Sequence, residues 1–217
     1  MRPQISDVLT DRYASTAMLE IWSPEAKIIM ERQLWIAVLR AQKELGMNIP
    51  GEAIEAYEQS VPVINLESIR KRELKTRHDV KARVEEFDAL AGYEFAHTGM
   101  TSRDLTENVE QTQVHRSMMV VRQKLIATLG RLANRAIEYE TLPMAGRSHN
   151  VAAQMTTLGK RFATVAEELE RAFVRHCHCL ATYQLRGIKG PVGTQQDMLH
   201  LLGGAKEVAE LERMVAE

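Results

Sequence analysis

The amino-acid sequence predicts an all-α fold, with short helices in its N-terminal part and two very long helices after them. The chain has only 12 glycines and 6 prolines among 217 residues, a smaller share than the roughly 12% that is typical of globular proteins. Two runs, from about Arg103 to Glu140 and from about Val151 to Leu185, contain no proline and one glycine each. As a helix the first would extend for roughly 57 Å, so its apolar side chains need neighbouring helices to cover them.

The N-terminal part begins without a regular pattern. Residues 1–22 have few periodic apolar positions and are predicted to be irregular. Ser23, Pro24 and Glu25 then supply an N-cap, a proline at the first helical position and an acidic first turn, which together predict the start of a helix. Gly46 predicts the end of that helix, since glycine readily adopts the left-handed conformation found after a last turn.

Three shorter helices are predicted before the long ones. The first covers residues 51–60, and the second begins after Asn65, which is a suitable N-cap. The third follows a polar break at Thr76–His78 and reaches Gly92. The segment between Gly92 and Ser102 is rich in polar and small residues, which predicts a loop directly before the first long helix.

We predict two structural parts, an N-terminal helical domain over residues 1–111 and the start of a central long-helix bundle over residues 112–217. A glycine-rich loop, Gly187–Gly193, interrupts the second part, and helical sequence follows it. The last segment is still periodic at Glu217, with no glycine or proline to terminate it. We therefore expect the natural polypeptide to continue and the bundle to be incomplete within these residues.

Composition argues against several classes of protein. The 28 basic and 29 acidic residues give a formal net charge of −1, which disfavours a nucleic acid as the partner. The N-terminus has no apolar signal segment, and no window approaches 18 uninterrupted apolar residues. We therefore expect a cytoplasmic protein that does not interact with a membrane.

The cysteines indicate neither a disulfide framework nor a metal site. Cys177 and Cys179 are two residues apart, a spacing that is poorly suited to a bridge. With His176 and His178 they form a run of four possible metal ligands. Consecutive residues of a helix point about 100° apart, so these four cannot converge on one ion. We predict no metal and no cofactor.

Three histidines, His78, His97 and His149, lie at predicted breaks between helices. Functional residues concentrate in such loops, because the helices around them form a rigid scaffold. A histidine side chain titrates near neutral pH and can protonate a leaving group there. Three such breaks in one glycine-poor chain predict a composite site for acid–base chemistry.

The same breaks carry groups that bind anions. The hydroxyl and backbone N–H groups of Thr101 and Ser102, at the start of a long helix, suit a carboxylate. Arg12, Arg77 and Arg147 can each contact a phosphate or carboxylate through paired N–H groups. The sequence has no phosphate-binding loop, dinucleotide fingerprint or nucleophile elbow. The residues alone therefore predict acid–base chemistry on a small polyanion.

Stretches of sequence at these breaks resemble the adenylosuccinate lyase family of the fumarase/aspartase superfamily. Asp11–Ser15 resembles the family's N-terminal Arg-Tyr pair, and Arg77–Val80 resembles its His-Asp segment. His97–Asp104 is similar to the first region that the superfamily shares. Gly146–His149, followed by Ala153–Arg161, is similar to the second. The resemblance spans nearly the whole chain.

The resemblance implies a reaction and a set of site residues. The superfamily performs β-eliminations that release fumarate. This family acts on adenylosuccinate, giving AMP, and on the succinyl-carboxamide imidazole ribotide of purine biosynthesis (SAICAR), giving AICAR. The implied catalytic residues are His149, as proton donor, and His78, which orients or helps to protonate the leaving purine side. The implied substrate-binding residues are Arg77 and Asp79 beside His78, Thr101 and Ser102 for a succinyl carboxylate, Arg12 and Tyr13 for the phosphate, and His97.

The sequence departs from the family pattern in two respects. Ser148 stands where the family usually has threonine before the histidine, and it retains the hydroxyl. The third shared region, a mobile loop of the type Ser-Ser-x-Met-Pro-x-Lys-x-Asn that supplies the catalytic base, has no counterpart in the 217 residues. The superfamily forms homotetramers in which three subunits contribute to each site. We therefore expect the 217 residues alone to be inactive.

Two alternatives stay open. Argininosuccinate lyase, aspartase, fumarase and carboxymuconate cycloisomerase belong to the same superfamily, but Arg12–Tyr13 and Arg77–Asp79 favour the nucleotide-specific member. Inhibition of turnover by AMP would separate that member from the others. Outside enzymes, the alternative is a non-catalytic helical oligomer that associates through methionine-rich faces. AMP at 100 times its dissociation constant should stabilise the enzyme by about 2.7 kcal/mol and leave such an oligomer unchanged.

Overall fold

The computed structural model of the chain describes residues 7–216. Within that range the chain is mostly helical, so the predicted all-α class is confirmed, and one two-stranded hairpin is the exception. The elements in chain order are α1 (Val8–Tyr13), α2 (Thr16–Trp22), α3 (Pro24–Glu44), α4 (Gly51–Ser60), α5 (Leu66–Thr76), α6 (Asp79–Ala91), α7 (Ser102–Glu138), β1 (Pro143–Ser148), β2 (Val151–Thr157), α8 (Leu158–Ala181), α9 (Gln196–Leu202) and α10 (Ala205–Ala216).

The chain divides into two compact units. The first unit comprises the chain up to Gln113 together with the segment from Gln184 onward. The second unit comprises Val114–Tyr183. The predicted domain boundary between residues 111 and 112 stays a prediction, because it concerns the domains of a complete bundle rather than the contacts within this chain.

The core of the first unit forms around α3, α4 and α6. As predicted, α3 begins after Ser23, whose hydroxyl accepts a hydrogen bond from the Ala26 amide (3.2 Å). The helix buries Trp35, which stacks on Phe87 of α6 with ring centroids 5.8 Å apart. Full burial of a side chain such as Phe87 contributes about 1.5–3 kcal/mol. This core therefore fixes α6, at whose N-terminus His78 lies.

The prediction of an irregular segment over residues 1–22 is wrong from residue 8 onward, and residues 1–6 lie outside the described residues. The Asp7 carboxylate caps α1 by accepting hydrogen bonds from the Leu9 amide (3.0 Å) and the Thr10 hydroxyl (2.6 Å). None of the α1 residues is buried. Apolar periodicity therefore gives no sign of this helix, and a cap formed by one side chain decides the local structure.

The second predicted long helix starts later than expected. Residues 151–157 form β2, which pairs antiparallel with β1, so the prediction of helix from Val151 is wrong. His149 and Asn150 make the two-residue turn between the strands, with φ angles of 50° and 64°, as a type I′ hairpin turn requires. The helix α8 begins only after Thr157, whose hydroxyl accepts the Lys160 amide (3.1 Å). The turn lacks the glycine that usually marks such hairpins in a sequence.

In the second unit α8 packs closely on the end of α7. Gly159 permits this approach, since a Cβ at that position would lie 2.4 Å from the Ala136 carbonyl oxygen. Tyr139 and Phe162 stack nearby, with ring centroids 6.0 Å apart. Large apolar side chains on both helices are nevertheless exposed, among them Ile126, Ile137, Val165 and Val174. Exposed apolar faces of this kind are typical of surfaces that bind other proteins.

Candidate active site

The structure brings three of the predicted site residues to one cleft of the first unit. His78 is the N-cap of α6, His97 lies in the loop before α7, and Ser102 is the first residue of α7. The cleft encloses about 480 Å³. Its lining consists of Thr76, His78, Val80, Lys81, Val84, Ala96, His97, Thr98 and Ser102.

The His78 side chain caps α6 and faces the start of α7. Its Nδ1 atom accepts a hydrogen bond from the backbone N–H of Lys81 (3.3 Å). A ring nitrogen that accepts carries no hydrogen, so the neutral ring has its hydrogen on Nε2. That Nε2 atom lies 3.4 Å from the Ser102 hydroxyl oxygen. His78 can therefore present an N–H donor to a ligand in the cleft.

Asp79 connects His78 to a buried charge network. One of its carboxylate oxygens lies 3.5 Å from His78 Nδ1, and the other accepts from the Arg83 guanidinium (3.0 Å). Arg83 Nε lies 2.6 Å from a carboxylate oxygen of Glu31, which is fully buried. Burial raises the pKa of Glu31 to about 7, against the attraction of Arg83 and Lys27. The same network fixes the first turn of α6.

The pKa of Asp79 is lowered, in contrast to that of Glu31. Partial burial alone would raise it, but the Val80 backbone N–H and the Arg83 guanidinium outweigh that effect and hold the pKa of Asp79 below its ordinary value. The carboxylate beside His78 is therefore ionised at neutral pH. It can attract a positive charge that forms on the ring during proton transfer.

His97 is the half-buried histidine of the cleft. Its Nδ1 atom accepts a hydrogen bond from the indole N–H of Trp35 (3.0 Å). Burial, assisted by the neighbouring His78 and Lys81 and opposed by Asp104, lowers the pKa of His97 to about 4. His97 is thus neutral at pH 7. It can offer Nε2–H to a ligand as a neutral donor but cannot supply a cation.

Thr101 and Ser102 form the N-terminus of α7. The Thr101 carbonyl accepts the Asp104 amide (2.9 Å), and the Asp104 carboxylate accepts the Thr101 amide in return (3.0 Å). The second of these bonds is the half of a capping box in which the N3 side chain accepts the N-cap amide. The N–H groups of Ser102 and Arg103 have no partner inside the helix, and with the helix dipole they favour an anion.

Side chains from α3, α4 and α9 contact the loop between Gly92 and Ser102. The Tyr57 hydroxyl accepts the amides of Phe95 (2.9 Å) and Ala96 (3.2 Å), and the Gln42 amide donates to the Thr98 carbonyl (2.9 Å). Gly99 has a φ of 74°, and a Cβ there would lie 2.6 Å from a side-chain carbon of Leu201. The loop is therefore prearranged by the core before any ligand binds.

The second unit carries a separate group of candidate residues on its hairpin. His149 is exposed at the turn, and the Arg147 guanidinium donates to the Asn150 carbonyl (3.0 Å). A groove of about 750 Å³ runs between the hairpin and α8. Its lining includes three cationic side chains and no carboxylate: Gly146, Arg147, Ser148, Ala153, Gln154, Met155, Thr156, Thr157, Lys160, Arg161, Thr164 and Val165. This groove suits an anion.

The remaining predicted residues are exposed. Arg12 and Tyr13 lie at the end of α1, where 74% of Tyr13 is accessible. Arg77 ends α5 with a left-handed φ of 54° and is also exposed. Long exposed side chains of this kind are free to turn toward a ligand. Their roles stay predictions.

Sequence reasoning missed several residues that support the site. Trp35, Gln42 and Tyr57 bond to the loop from 38 to 62 positions away along the chain. No local signal marks such distant contacts. Asp104, in contrast, stands three residues after Thr101, and the capping-box spacing could have indicated its contact with the site.

The described part of the chain contains neither a metal centre nor a membrane-spanning helix. Among residues 7–216 no group of three or more histidine, cysteine, aspartate or glutamate side chains is arranged to hold a metal ion. None of the helices described above is long and apolar enough to cross a membrane.

Comparison with known proteins supports the resemblance stated from the motifs. A sequence profile described as "Lyase" matches residues 2–199. The chain is 35% identical over 221 residues to adenylosuccinate lyase of Schizosaccharomyces pombe, covering 98% of this chain and 45% of that protein. It is 36% identical over 220 residues to adenylosuccinate lyase of Saccharomyces cerevisiae, covering 96% and 45%. The chain thus spans about half the length of these relatives.

Solved structures show the same fold. Fumarate lyase from Mesorhizobium sp. BNC1 matches with a TM-score of 0.81 at 22% identity, covering 99% of this chain and 49% of that one. The 3-carboxy-cis,cis-muconate lactonizing enzyme from Pseudomonas putida matches with a TM-score of 0.83 at 20% identity, covering 97% and 49%. Since the profile covers most of the chain, this protein belongs to the lyase family, and its predicted similarity to the adenylosuccinate lyases is confirmed.

Proposed function

We propose that this protein catalyses the β-elimination of fumarate from adenylosuccinate, giving AMP, and from SAICAR, giving AICAR, in purine biosynthesis. The observation that carries the proposal is the pair formed by His78 Nε2 and the Ser102 hydroxyl, 3.4 Å apart in one cleft at the N-terminus of a 37-residue helix. Such a pair suits a substrate with a carboxylate beside a leaving nitrogen. The adenylosuccinate lyases of two yeasts, at 35% and 36% identity, support the choice of substrate.

The reaction needs a base, an acid and a site for negative charge. The base takes a proton from the succinyl Cβ, and the electron pair moves onto the adjoining carboxylate to form an aci-carboxylate. That pair then forms the carbon–carbon double bond of fumarate as the C–N bond breaks, and the acid protonates the departing nitrogen. Hydrogen-bond donors aimed at the aci-carboxylate lower the barrier most. We assign the base to no residue described above.

We assign the acid to His149 and a supporting role on the leaving purine side to His78. His149 is exposed at a two-residue turn, and strands on both sides of it set its direction. His78 presents Nε2–H into its cleft, with the ionised Asp79 carboxylate beside the ring. Proton transfer by a positioned histidine contributes about 10²–10⁴-fold to rate.

The other predicted residues bind the two ends of the substrate. Thr101 and Ser102 hold a succinyl carboxylate through their hydroxyls and the N–H groups of the first turn of α7. Arg12 and Tyr13 contact the phosphate. For the remaining two, we propose that Arg77 approaches the leaving side beside Asp79 and that His97 acts as a neutral donor within the cleft.

The proposal includes an assembly. We infer a homotetramer whose sites are shared between subunits, and the exposed apolar side chains of α7 and α8 support this inference. The ligand that we propose is a succinylated nucleotide of the purine pathway, and we propose no nucleic-acid or membrane partner. The cytoplasmic location stays a prediction.

The test is turnover of adenylosuccinate by the full-length protein, followed by ultraviolet absorbance. We expect turnover that AMP inhibits, since AMP is the product that occupies the nucleotide side of the site. A correctly assembled oligomer that turns over argininosuccinate or aspartate, and not adenylosuccinate, would refute the substrate assignment. A protein without turnover that AMP also fails to stabilise would refute the enzymatic proposal.

A further inference from the structure

The loop that follows α8 is held by an unusual set of hydrogen bonds. Every backbone N–H from residue 186 to residue 190 donates to a side chain rather than to another backbone carbonyl. The acceptors, in order, are Gln111 for Arg186 (2.6 Å), Asn108 for Gly187 (3.0 Å), Glu212 for Ile188 (3.0 Å), and Asp104 for both Lys189 (2.9 Å) and Gly190 (3.1 Å). Loops more often leave such groups to water.

Three of the acceptors lie along one face of α7. Asp104, Asn108 and Gln111 are spaced by four and three residues, which places them on the same side of a helix. Asn108 also donates from its side-chain amide to the Gly187 carbonyl (2.9 Å), so that amide and that backbone pair in both directions. The first turns of α7 therefore act as a template for the loop.

Asp104 joins this loop to the candidate site. One of its carboxylate oxygens accepts from Lys189 and Gly190, and the other accepts from Thr101 and Gly190. The side chain is fully buried, and the Arg186 guanidinium lies 3.5 Å away. A buried carboxylate is stable only when hydrogen bonds and charge compensate it, and here three backbone amides and an arginine do so.

We propose that Asp104 is a positioning residue, which couples the conformation of the loop at residues 186–190 to the carboxylate-binding turn at Thr101–Ser102. The two segments are coupled because the Asp104 carboxylate accepts hydrogen bonds from both of them. Displacement of the loop leaves the buried charge undersatisfied and loosens the Thr101 cap. The assignment of a carboxylate to Thr101–Ser102 rests on the proposed function, whereas the coupling of the two segments does not.

At this position only a side chain with two hydrogen-bond-accepting oxygens satisfies all the backbone N–H groups that point at it. In an Asp104→Asn variant the side-chain NH₂ must face at least one backbone N–H, because amides approach both oxygens. Asparagine has nearly the same shape, so the change removes acceptors and charge with little change in volume. An Asn108→Ala variant, in contrast, removes the bonds to Gly187 and leaves the Asp104–Thr101 pair in place.

The experiment is hydrogen–deuterium exchange of the full-length protein, read by mass spectrometry on peptides that cover residues 97–104 and 184–195. Asp104→Asn is expected to speed exchange about tenfold or more in both peptides, the factor for losing hydrogen bonds to a charged group. Asn108→Ala should speed exchange most in the 184–195 peptide, because it removes the bonds to Gly187, and much less in the 97–104 peptide, because Asp104 still binds Lys189 and Gly190. Asp197→Asn is the matched control, because Asp197 is exposed on α9 and accepts no hydrogen bond from the described part of the loop. It should change neither peptide.

Three outcomes would overturn the proposal. These are unchanged exchange in Asp104→Asn, faster exchange in only one of the two peptides, and an equal rise in the peptides of α3, which would indicate general destabilisation. If Asp104→Asn does not fold, Asn108→Ala becomes the test. Exchange at 184–195 that is as slow in this variant as in the unmodified protein would contradict the view that the first turns of α7 hold the loop. Turnover is measured in parallel on adenylosuccinate. Its absence in the unmodified protein would refute the proposed function without affecting the exchange result.

Discussion

The two units hold their histidines in opposite ways. In the first unit His97 is half-buried, bonded to Trp35 and neutral at pH 7, and the loop around it is fixed by Tyr57 and Gln42. In the second unit His149 is exposed on a hairpin turn whose strands bury little. The core of this chain thus fixes the surroundings of His97. The surroundings of His149, in contrast, depend on what packs against the hairpin.

This difference separates stability from chemistry. A residue that is bonded to the core, as His97 is, stabilises the fold as well as the site, so its replacement changes both stability and turnover. An exposed residue such as His149 can be replaced with little effect on folding, because substitutions at exposed positions usually alter stability by less than about 0.5 kcal/mol. The four predictions below test this separation, beginning with the largest effect.

His149→Ala should have the largest effect on turnover and almost none on stability. If His149 is the proton donor, kcat for adenylosuccinate falls by about 10²–10⁴-fold, while oligomer size and AMP binding stay close to those of the unmodified protein. His178→Ala, at another exposed histidine, is the control and should retain full turnover. Steady-state kinetics and size-exclusion chromatography check the prediction. A His149→Ala variant with most of its activity would remove the residue from the acid role.

His97 should make stability depend on pH. Its folded pKa of about 4 lies below the ordinary 6.5, so the unfolded chain binds the proton first as pH falls. Stability is therefore fully present above pH 6.5 and is lost as pH falls from 6.5 through 4, by up to about 3 kcal/mol. His97→Asn keeps an acceptor for Trp35 and tolerates the left-handed φ of 70°, and it should flatten this dependence.

Chemical denaturation at a series of pH values measures that difference. The control is His200→Asn, at an exposed histidine on α9, which should keep the pH dependence of the unmodified protein. If His97→Asn and the unmodified protein lose stability in parallel between pH 6.5 and 4, the His97 ring is not the cause. The contrast between the half-buried His97 and the exposed His149 would then not hold for His97.

Tyr57→Phe should lower stability without touching a ligand. Its hydroxyl accepts from Phe95 and Ala96 and donates toward Asp88, so the change leaves buried partners unsatisfied at a cost of about 2 kcal/mol. Tyr13→Phe, at an exposed tyrosine, should leave the free energy of unfolding unchanged. Denaturant titrations of both variants give the measurement, and equal stabilities would contradict the view that this core fixes the loop.

The sequence predicted the parts of the site that depend on neighbouring residues. The break at Thr76–His78 and the start of α7 at Ser102 follow from caps and turn-forming residues within a few positions, and the structure confirms both. The contact of Trp35 with His97 spans 62 positions, and that of Asp104 with Lys189 spans 85. Such contacts depend on how helices pack, which no local pattern encodes.

The hairpin shows a different limit of sequence reasoning. Residues 151–157 lie before a strongly amphipathic helix, and the absence of glycine and proline favoured extending that helix backward. The observed strands are short and largely exposed, so burial adds little to their pattern. The left-handed turn at His149–Asn150 decides the structure there, and asparagine is among the few residues other than glycine that adopt it readily. His149 thus lies at a break between helices, as predicted, whereas the strands on both sides of it were not predicted.

Arg12 extends the comparison to a second exposed side chain and carries the smallest expected effect. Arg12→Ala should raise KM for adenylosuccinate by about tenfold with kcat nearly unchanged, because a phosphate contact made equally in the ground state and the transition state affects binding alone. Arg70→Ala, an exposed arginine of α5, should leave both constants unchanged. A fall in kcat at constant KM would instead place Arg12 at the reacting end of the substrate. An unchanged KM would remove it from the phosphate site and leave His149 as the exposed residue on which the comparison depends.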